Sequence, residues 1–361
     1  MSRVRLNHKT LAGLSGLALL VGCASNEPAA PVSKLAPDAL SDAIAASCPE
    51  DVGYILPEKI SVSATSLDWS ETPEKTTKAL GSLIPKALFE LNSDDSRFGG
   101  LSGMDLLDDD TLIMTADDGS LIWLDFDPDT LIPSDIAYIA GLRDETGGMI
   151  DGKLDADSEG LAWNGETLFV SMERNHRILA YDIEGCGSAA RGIPVLSFAP
   201  DGFGLGKAIH ENRGMEALAQ REGSELIAGL ETNSDGSPIG IFSGPDARDF
   251  ALRLPSPEIT MLTGLDIVPV EGGPDRLYAV FRSYDPIRGN RIAIGAVAFD
   301  DTGPIGEMEQ LALWGTEVMV DNFEGITARS ISETHDQILI ISDNNFSSRQ
   351  KTLLAVFEHE H

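Results

Sequence analysis

The chain has 361 residues, 42% of them hydrophobic, with 58 acidic against 26 basic side chains and a formal net charge of −32. So acidic a balance repels nucleic acid and anionic membrane surfaces and favours cations, although surface acids also serve plain solubility. The 36 glycines and 19 prolines are dispersed rather than gathered in one linker, which suits many short strands and one all-β repeat unit more than two average domains.

The first 22 residues read as a signal peptide. Arg3, Arg5 and Lys9 precede an apolar stretch over residues 11–21, which is short for a membrane span. Leu20-Val21-Gly22-Cys23 resembles a bacterial lipobox. That resemblance implies cleavage before Cys23, lipidation of its thiol and, since Ala24 follows rather than aspartate, placement on the periplasmic side of the outer membrane. An ordinary secretory signal or a single transmembrane helix is the alternative. Residues 23–53, rich in Ala, Pro and Ser, read as a tether. Cys48 and Cys186 then remain, and in an oxidising compartment such a pair invites a disulfide; two separate buried thiols are the other reading.

From residue 54 to the end the sequence reads as one propeller domain. Residues 60–69 and 86–91 are candidate strands separated by a helix-tolerant stretch. A short phrase then recurs: Gly103-Met104-Asp105, Glu159-Gly160-Leu161, Gly214-Met215-Glu216, Gly264-Leu265-Asp266 and Glu324-Gly325-Ile326. Counted from acid to acid, the intervals are 54, 57, 50 and 58 residues. Each phrase opens an apolar strand, and a second apolar run follows that ends in polar residues: Asp117, Glu173-Arg174-Asn175-His176, Glu231, Arg282 and Asp343. If each pair is an antiparallel hairpin, the start of the first strand and the end of the second share one edge. All five repeats then present their polar groups on one face.

Four strands fit each period, with Asn164-Gly165 as a turn between the first two strands of the second repeat. The expected fold is an all-β propeller of five or six four-stranded blades, its ring closed by an N-terminal strand that completes the last blade. Insertions at residues 144–157 and 200–212 each precede a phrase and are placed to overhang the polar face.

Gathered near the axis, Asp105, Glu159, Glu216, Asp266 and Glu324, with Asp343 beside them, form a candidate metal set. Carboxylates held close repel unless a cation or a shared proton relieves them. A hard divalent cation suits such donors, Ca²⁺ above all, since it takes about six to eight oxygen ligands. The few histidines lack zinc-ligand spacing. Arg174, Arg213 and Arg282, with His176, are candidate substrate-binding groups, because guanidinium forks grip phosphate oxygens; salt bridges to the acids are the plainer role. The phrase itself has a plainer reading as a corner signature repeated in every blade. Against it, all five copies keep Asp or Glu where a structural turn tolerates Asn or Ser. No Gly-x-Ser-x-Gly elbow occurs, and Ser102, Ser158 and Ser342 have no base beside them in the sequence.

Leu101-Ser102-Gly103-Met104-Asp105, residues 157–163, residues 212–218 and residues 322–326 together resemble the phytase-like family, described as having esterase-like activity of phytase. The resemblance implies a β-propeller with acidic residues acting in phosphoester hydrolysis. On matching positions it carries Asp105, Glu159, Glu216 and Glu324 as catalytic candidates; Asp266 rests on the repeat alone. The expected function is metal-assisted hydrolysis of a phosphoester or other anionic ester. The alternative is a non-catalytic propeller that binds a cation, a ligand or an envelope protein through its acidic face. Either way the expected partners are a small anionic ester or an envelope protein, with no nucleic acid, membrane contact only through the lipid anchor, and a monomeric chain.

Overall fold

The computed structural model describes residues 35, 37–198, 209, 213–221, 223–231, 236–242, 247–256, 259 and 261–361. Cys23, His210, Asn212, Asn233 and the signal peptide lie outside the described residues. No helix among the described residues is long and apolar enough to cross a membrane.

The chain begins with helix α1 (Pro37–Ser47), strands β1 (Glu58–Ser61) and β2 (Ser63–Ser66), helix α2 (Pro73–Leu80) and strand β3 (Ile84–Asn92). Five antiparallel sheets follow. Blade 1 holds β4 (Leu101–Leu106), β5 (Thr111–Ala116), β6 (Ser120–Phe126) and β7 (Pro133–Gly141). Blade 2 holds β8 (Ser158–Trp163), β9 (Leu168–Met172), β10 (Arg177–Tyr181) and β11 (Ile193–Ser197), with a short helix α3 (Ile183–Cys186) before the last. Blade 3 holds β12 (Met215–Gln220), β13 (Leu226–Leu230), β14 (Ser237–Phe242) and β15 (Arg248–Leu252). Blade 4 holds β16 (Met261–Val268), β17 (Asp275–Asp285), β18 (Gly289–Asp300) and β19 (Gly303–Trp314). Blade 5 holds β20 (Asn322–Ser332), β21 (His335–Asp343) and β22 (Thr352–Glu360), completed by β3.

The molecule is therefore a five-bladed β-propeller, which resolves the choice between five and six blades. β3 pairs antiparallel with the last strand β22, Phe89 opposite Leu354, so the N-terminal strand closes the ring as expected. The strands that suggested a sixth blade are outer additions instead. β1 pairs with β7 on the rim of blade 1, and β2 pairs with β3 on the rim of blade 5.

Five apolar clusters fill the fold, one at each junction between neighbouring blades. Strands alternate sides, so one face of each blade packs on the blade before it and the other on the blade after. This is why these strands are apolar on both faces and not only on one; β9 and β13 are buried from end to end.

The segment before the ring runs around its outside. The stretch read as a tether is, from residue 37, helix α1, whose Leu40 and Ala43 are buried with Leu35 in the cluster between blades 2 and 3. The disulfide Cys48–Cys186, with Cα atoms 5.6 Å apart, ties the end of α1 to α3 on blade 2. Ile55 bridges Gly187 on the same blade, and β1 and β2 then cross blades 1 and 5. Next, α2 starts at Pro73 under an N-cap from Thr72, ends at Gly81, and packs on β19 of blade 4 through Ala79 and Leu80.

Candidate functional site

The recurring phrase marks a β-bulge in the innermost strand of every blade. Pairing slips between Leu101 and Gly103 in β4, Ser158 and Leu161 in β8, Met215 and Ala217 in β12, Leu262 and Gly264 in β16, and Phe323 and Gly325 in β20. The residues outside the pairing include Ser102, Glu159, Glu216, Thr263 and Glu324. A bulge re-aims a side chain, and here it brings Ser102, Glu159, Glu216 and Glu324 to one axial pocket, while the Thr263 hydroxyl bonds to backbone carbonyls. The glycine after the bulge lets neighbouring inner strands approach. A Cβ at Gly103 or Gly264 would stand 2.4 Å from the carbonyl oxygen of Glu159 or Glu324.

Glu159, Glu216 and Glu324 are each less than a tenth exposed and line one axial pocket of about 510 Å³, including its open mouth. The ends of the second strands complete it with Asp117, Glu173, Glu231, Arg282 and Asp343. The loop before β8 adds Lys153 and Asp157, and Arg174 follows Glu173. Eight carboxylates and three cationic side chains thus share one pocket.

Its charges are unevenly compensated. On the side of blades 4 and 5, Arg282 Nη2 lies 3.1 Å from Glu231 and 3.3 Å from Glu324, and Nη1 donates to Asn322 Oδ1 at 2.6 Å. The Asn322 amide in turn donates to Glu324 at 2.8 Å and to Asp343 at 3.3 Å. On the side of blade 2, Asp157, Glu159 and Glu173 bring carboxylate oxygens within 4.8 Å of one another. Arg174 Nε holds Asp157 at 2.5 Å, and Lys153 stays 3.7 Å from Asp117 and 3.8 Å from Asp157.

Burial, then the charges of Glu324, Glu173 and Asp157, push the Glu159 carboxyl well above the usual range. Burial and the neighbouring Glu159 and Glu231 do the same to Glu216. Glu173 is raised to about 7 by burial, partly offset by the N–H of Gly214, and Asp343 to about 8 by burial and by Glu324. Burial raises Glu324 too, while Arg282 pulls it back. Burial opposes the charge of Arg282, but Glu324, Glu231, Glu216 and Glu159 outweigh it and hold the guanidinium above its ordinary value.

Asp105 and Asp266 do not join this pocket. They lie three residues beyond the bulges of Ser102 and Thr263, and each caps the next blade: Asp105 accepts the Trp163 N–H at 2.6 Å, and Asp266 the Ala328 N–H at 2.6 Å. The Thr327 hydroxyl stands between them, 3.2 Å from Asp105 and 3.0 Å from Asp266. Asp105 and Asp266 are thus placed as stitches between blades, outside the lining of the pocket that holds Glu159, Glu216, Glu324 and Asp343. Arg213 is exposed and outside the pocket lining. His176 packs on the backbone of Gly214, where burial lowers its pKa.

Sequence reading missed Ser102, its bulge counterpart Thr263, which lies outside the pocket lining, and two further pocket groups, Asp157 as a member of the acid triad and Lys153. The signal for the first two lay in aligning the bulge rather than the acid.

Fold and site define a five-bladed propeller with an acidic axial pocket. The family model described as phytase-like, esterase-like activity of phytase, matches residues 96–346, and the chain belongs to that family. No curated protein sequence matches the chain. Among solved structures, the glutaminyl cyclase of Myxococcus xanthus aligns at 11% identity over 85% of this chain and 100% of its own, with a TM-score of 0.40. The PQQ-bound aldose sugar dehydrogenase of Streptomyces coelicolor aligns at 10% identity over 84% and 100%, with a TM-score of 0.37.

Proposed function

We propose that the axial pocket hydrolyses a phosphoester, or another anionic ester, with the help of a divalent cation. One observation carries the reading: a buried carboxylate triad, partly compensated by Arg174 at Asp157, and the half-buried guanidinium of Arg282 share one pocket, two blades apart in the ring.

The triad suits a hard cation. Its donors are all oxygens within 4.8 Å of one another, close enough for one ion to reach each at about 2.3–2.6 Å, the Ca²⁺ range. Held close and buried, Glu159 and Glu173 hold their protons more tightly than free carboxyls until a cation replaces them. When bound there, a divalent cation polarises the ester and acidifies water. Arg282 and Arg174 supply forked donors for the anionic oxygens of the substrate. The walls exclude bulk water, which strengthens each of these interactions.

Protein stripped of metal and resupplied with Ca²⁺ or Mg²⁺ is expected to turn over a phosphomonoester, phosphodiester or lactone, and to lose that activity in Glu159→Gln. No turnover of any of these overturns the reading. A captured envelope protein that is lost on Glu159→Ala and Glu324→Ala, with no ester ever cleaved, would replace it with a binding propeller. Anchoring in the envelope through Cys23 belongs to the same proposal and rests on Leu20-Val21-Gly22-Cys23; lipid labelling that survives Cys23→Ser removes it.

A further inference from the structure

Ser102 supplies the hydroxyl side chain of the pocket lining among the described residues. It is the bulged residue of β4 and is 3% exposed. Its counterpart in blade 4 turns elsewhere: Thr263 Oγ1 donates to the carbonyl oxygens of Val280 and Phe323 at 3.4 and 3.5 Å, outside the pocket lining. On the backbone, the Ser102 hydroxyl makes one long contact, 3.5 Å to the Gly100 carbonyl. Blade 1 stands between blades 5 and 2, and Ser102 lines the same pocket as the carboxylates of Glu324 and Glu159, where its hydroxyl favours the ionised form of each.

These two neighbours are not equivalent. Glu159 belongs to the acid triad. Glu324 receives Arg282 at 3.3 Å and the Asn322 amide at 2.8 Å, both on Oε1, and both favour its ionised form against the burial that raises its pKa. A hydroxyl beside a carboxylate held by a guanidinium and an amide, in a pocket that carries guanidinium groups for the substrate, has the pairing of nucleophile and base that covalent catalysis requires.

We propose that Ser102 Oγ is the nucleophile of the ester cleavage and that Glu324 takes its proton, an inference that rests on the hydrolytic reading above. With a phosphomonoester, Oγ bonds to phosphorus as the bond to the leaving oxygen breaks. The hydroxyl proton passes to Glu324 and then to that oxygen, which departs as an alcohol. Water next gives a proton to Glu324 and displaces Ser102 Oγ. The serine recovers that proton, and inorganic phosphate leaves. Arg282 and Arg174 hold the phosphoryl oxygens through both displacements.

The test uses the full chain loaded with Ca²⁺ and a phosphomonoester made chiral at phosphorus with oxygen isotopes. Two displacements give retention of configuration; direct attack by water gives inversion. Ser102→Ala is expected to lower kcat by at least about a thousandfold while the Ca²⁺-dependent rise in melting temperature stays. Inversion, turnover confined to carboxylic esters, or undiminished turnover in Ser102→Ala overturns the serine step and leaves the hydrolytic reading standing. Absence of turnover of any ester by the wild-type chain removes the hydrolytic reading first, and the serine step with it.

Discussion

Arg282 and Glu324 lie 3.3 Å apart at the junction of blades 4 and 5, at a strand end where the other four blades carry an acid. Glu231 shares the same guanidinium at 3.1 Å. Removing the cation leaves two buried carboxylates unpaired. Arg282→Met is therefore expected to destabilise the metal-free protein by about 3 kcal/mol at neutral pH, read as a lower denaturant midpoint at unchanged slope. The loss shrinks in Arg282→Met, Glu324→Gln, because that pair removes one of the stranded charges.

Ca²⁺ binding to the triad is expected to stabilise the fold by mass action, about 2.7 kcal/mol at a hundred times Kd. Calorimetry and thermal melting check it. Glu159→Gln and Glu173→Gln, combined, abolish the shift; a shift that persists would place the cation elsewhere.

Stability of the chelated protein is expected to fall as pH rises from about 5 to 8. Glu173, Asp343 and Asp266 have folded values of about 7, 8 and 6, all above their ordinary 4.5, 3.8 and 3.8. Between the ordinary and raised values the folded state holds more protons than the unfolded chain. The stabilisation is complete below the ordinary values and is lost as pH passes the raised ones. Urea midpoints at pH 5 and pH 8 read this directly, and excess Ca²⁺ reduces the decline.

Asp105→Ala tests the separation of the two axial layers. It strands the Trp163 and Leu106 N–H groups, at a cost of about 1–3 kcal/mol, yet leaves Ca²⁺ affinity and ester turnover per folded molecule unchanged. A large fall in affinity would return Asp105 to the metal set.

The repeat period, the hairpins and the shared polar face were legible because apolar strands of fixed spacing must pack blade on blade. The register inside the phrase was not. Gly103-Met104-Asp105 and Gly214-Met215-Glu216 read alike, but the structural partner of Gly103 is Ala217, the residue after the bulge in β12. One acid therefore lies three residues beyond its bulge and the other is the bulged residue itself. Alignment by acid hid Ser102 and Thr263 and promoted Asp105 and Asp266. Helix α1 was hidden for a different reason: it is short and rich in Ala and Ser, and it is held by the tertiary contacts of Leu35, Leu40 and Ala43 more than by its own propensity.

The path from α1 to α2 behaves as a hoop. It leans on blades 2, 1, 5 and 4 in turn, and the Cys48–Cys186 link fastens one end of it. Four blades are thereby kept from splaying, so a ligand reaches the axis past the loops at the mouth and not by parting the ring. Among the described residues, the junction of blades 3 and 4 is the one whose apolar cluster the hoop does not enter. There the ring is held by its own strands, and inside the pocket Glu231 of blade 3 meets Arg282 of blade 4 across that junction.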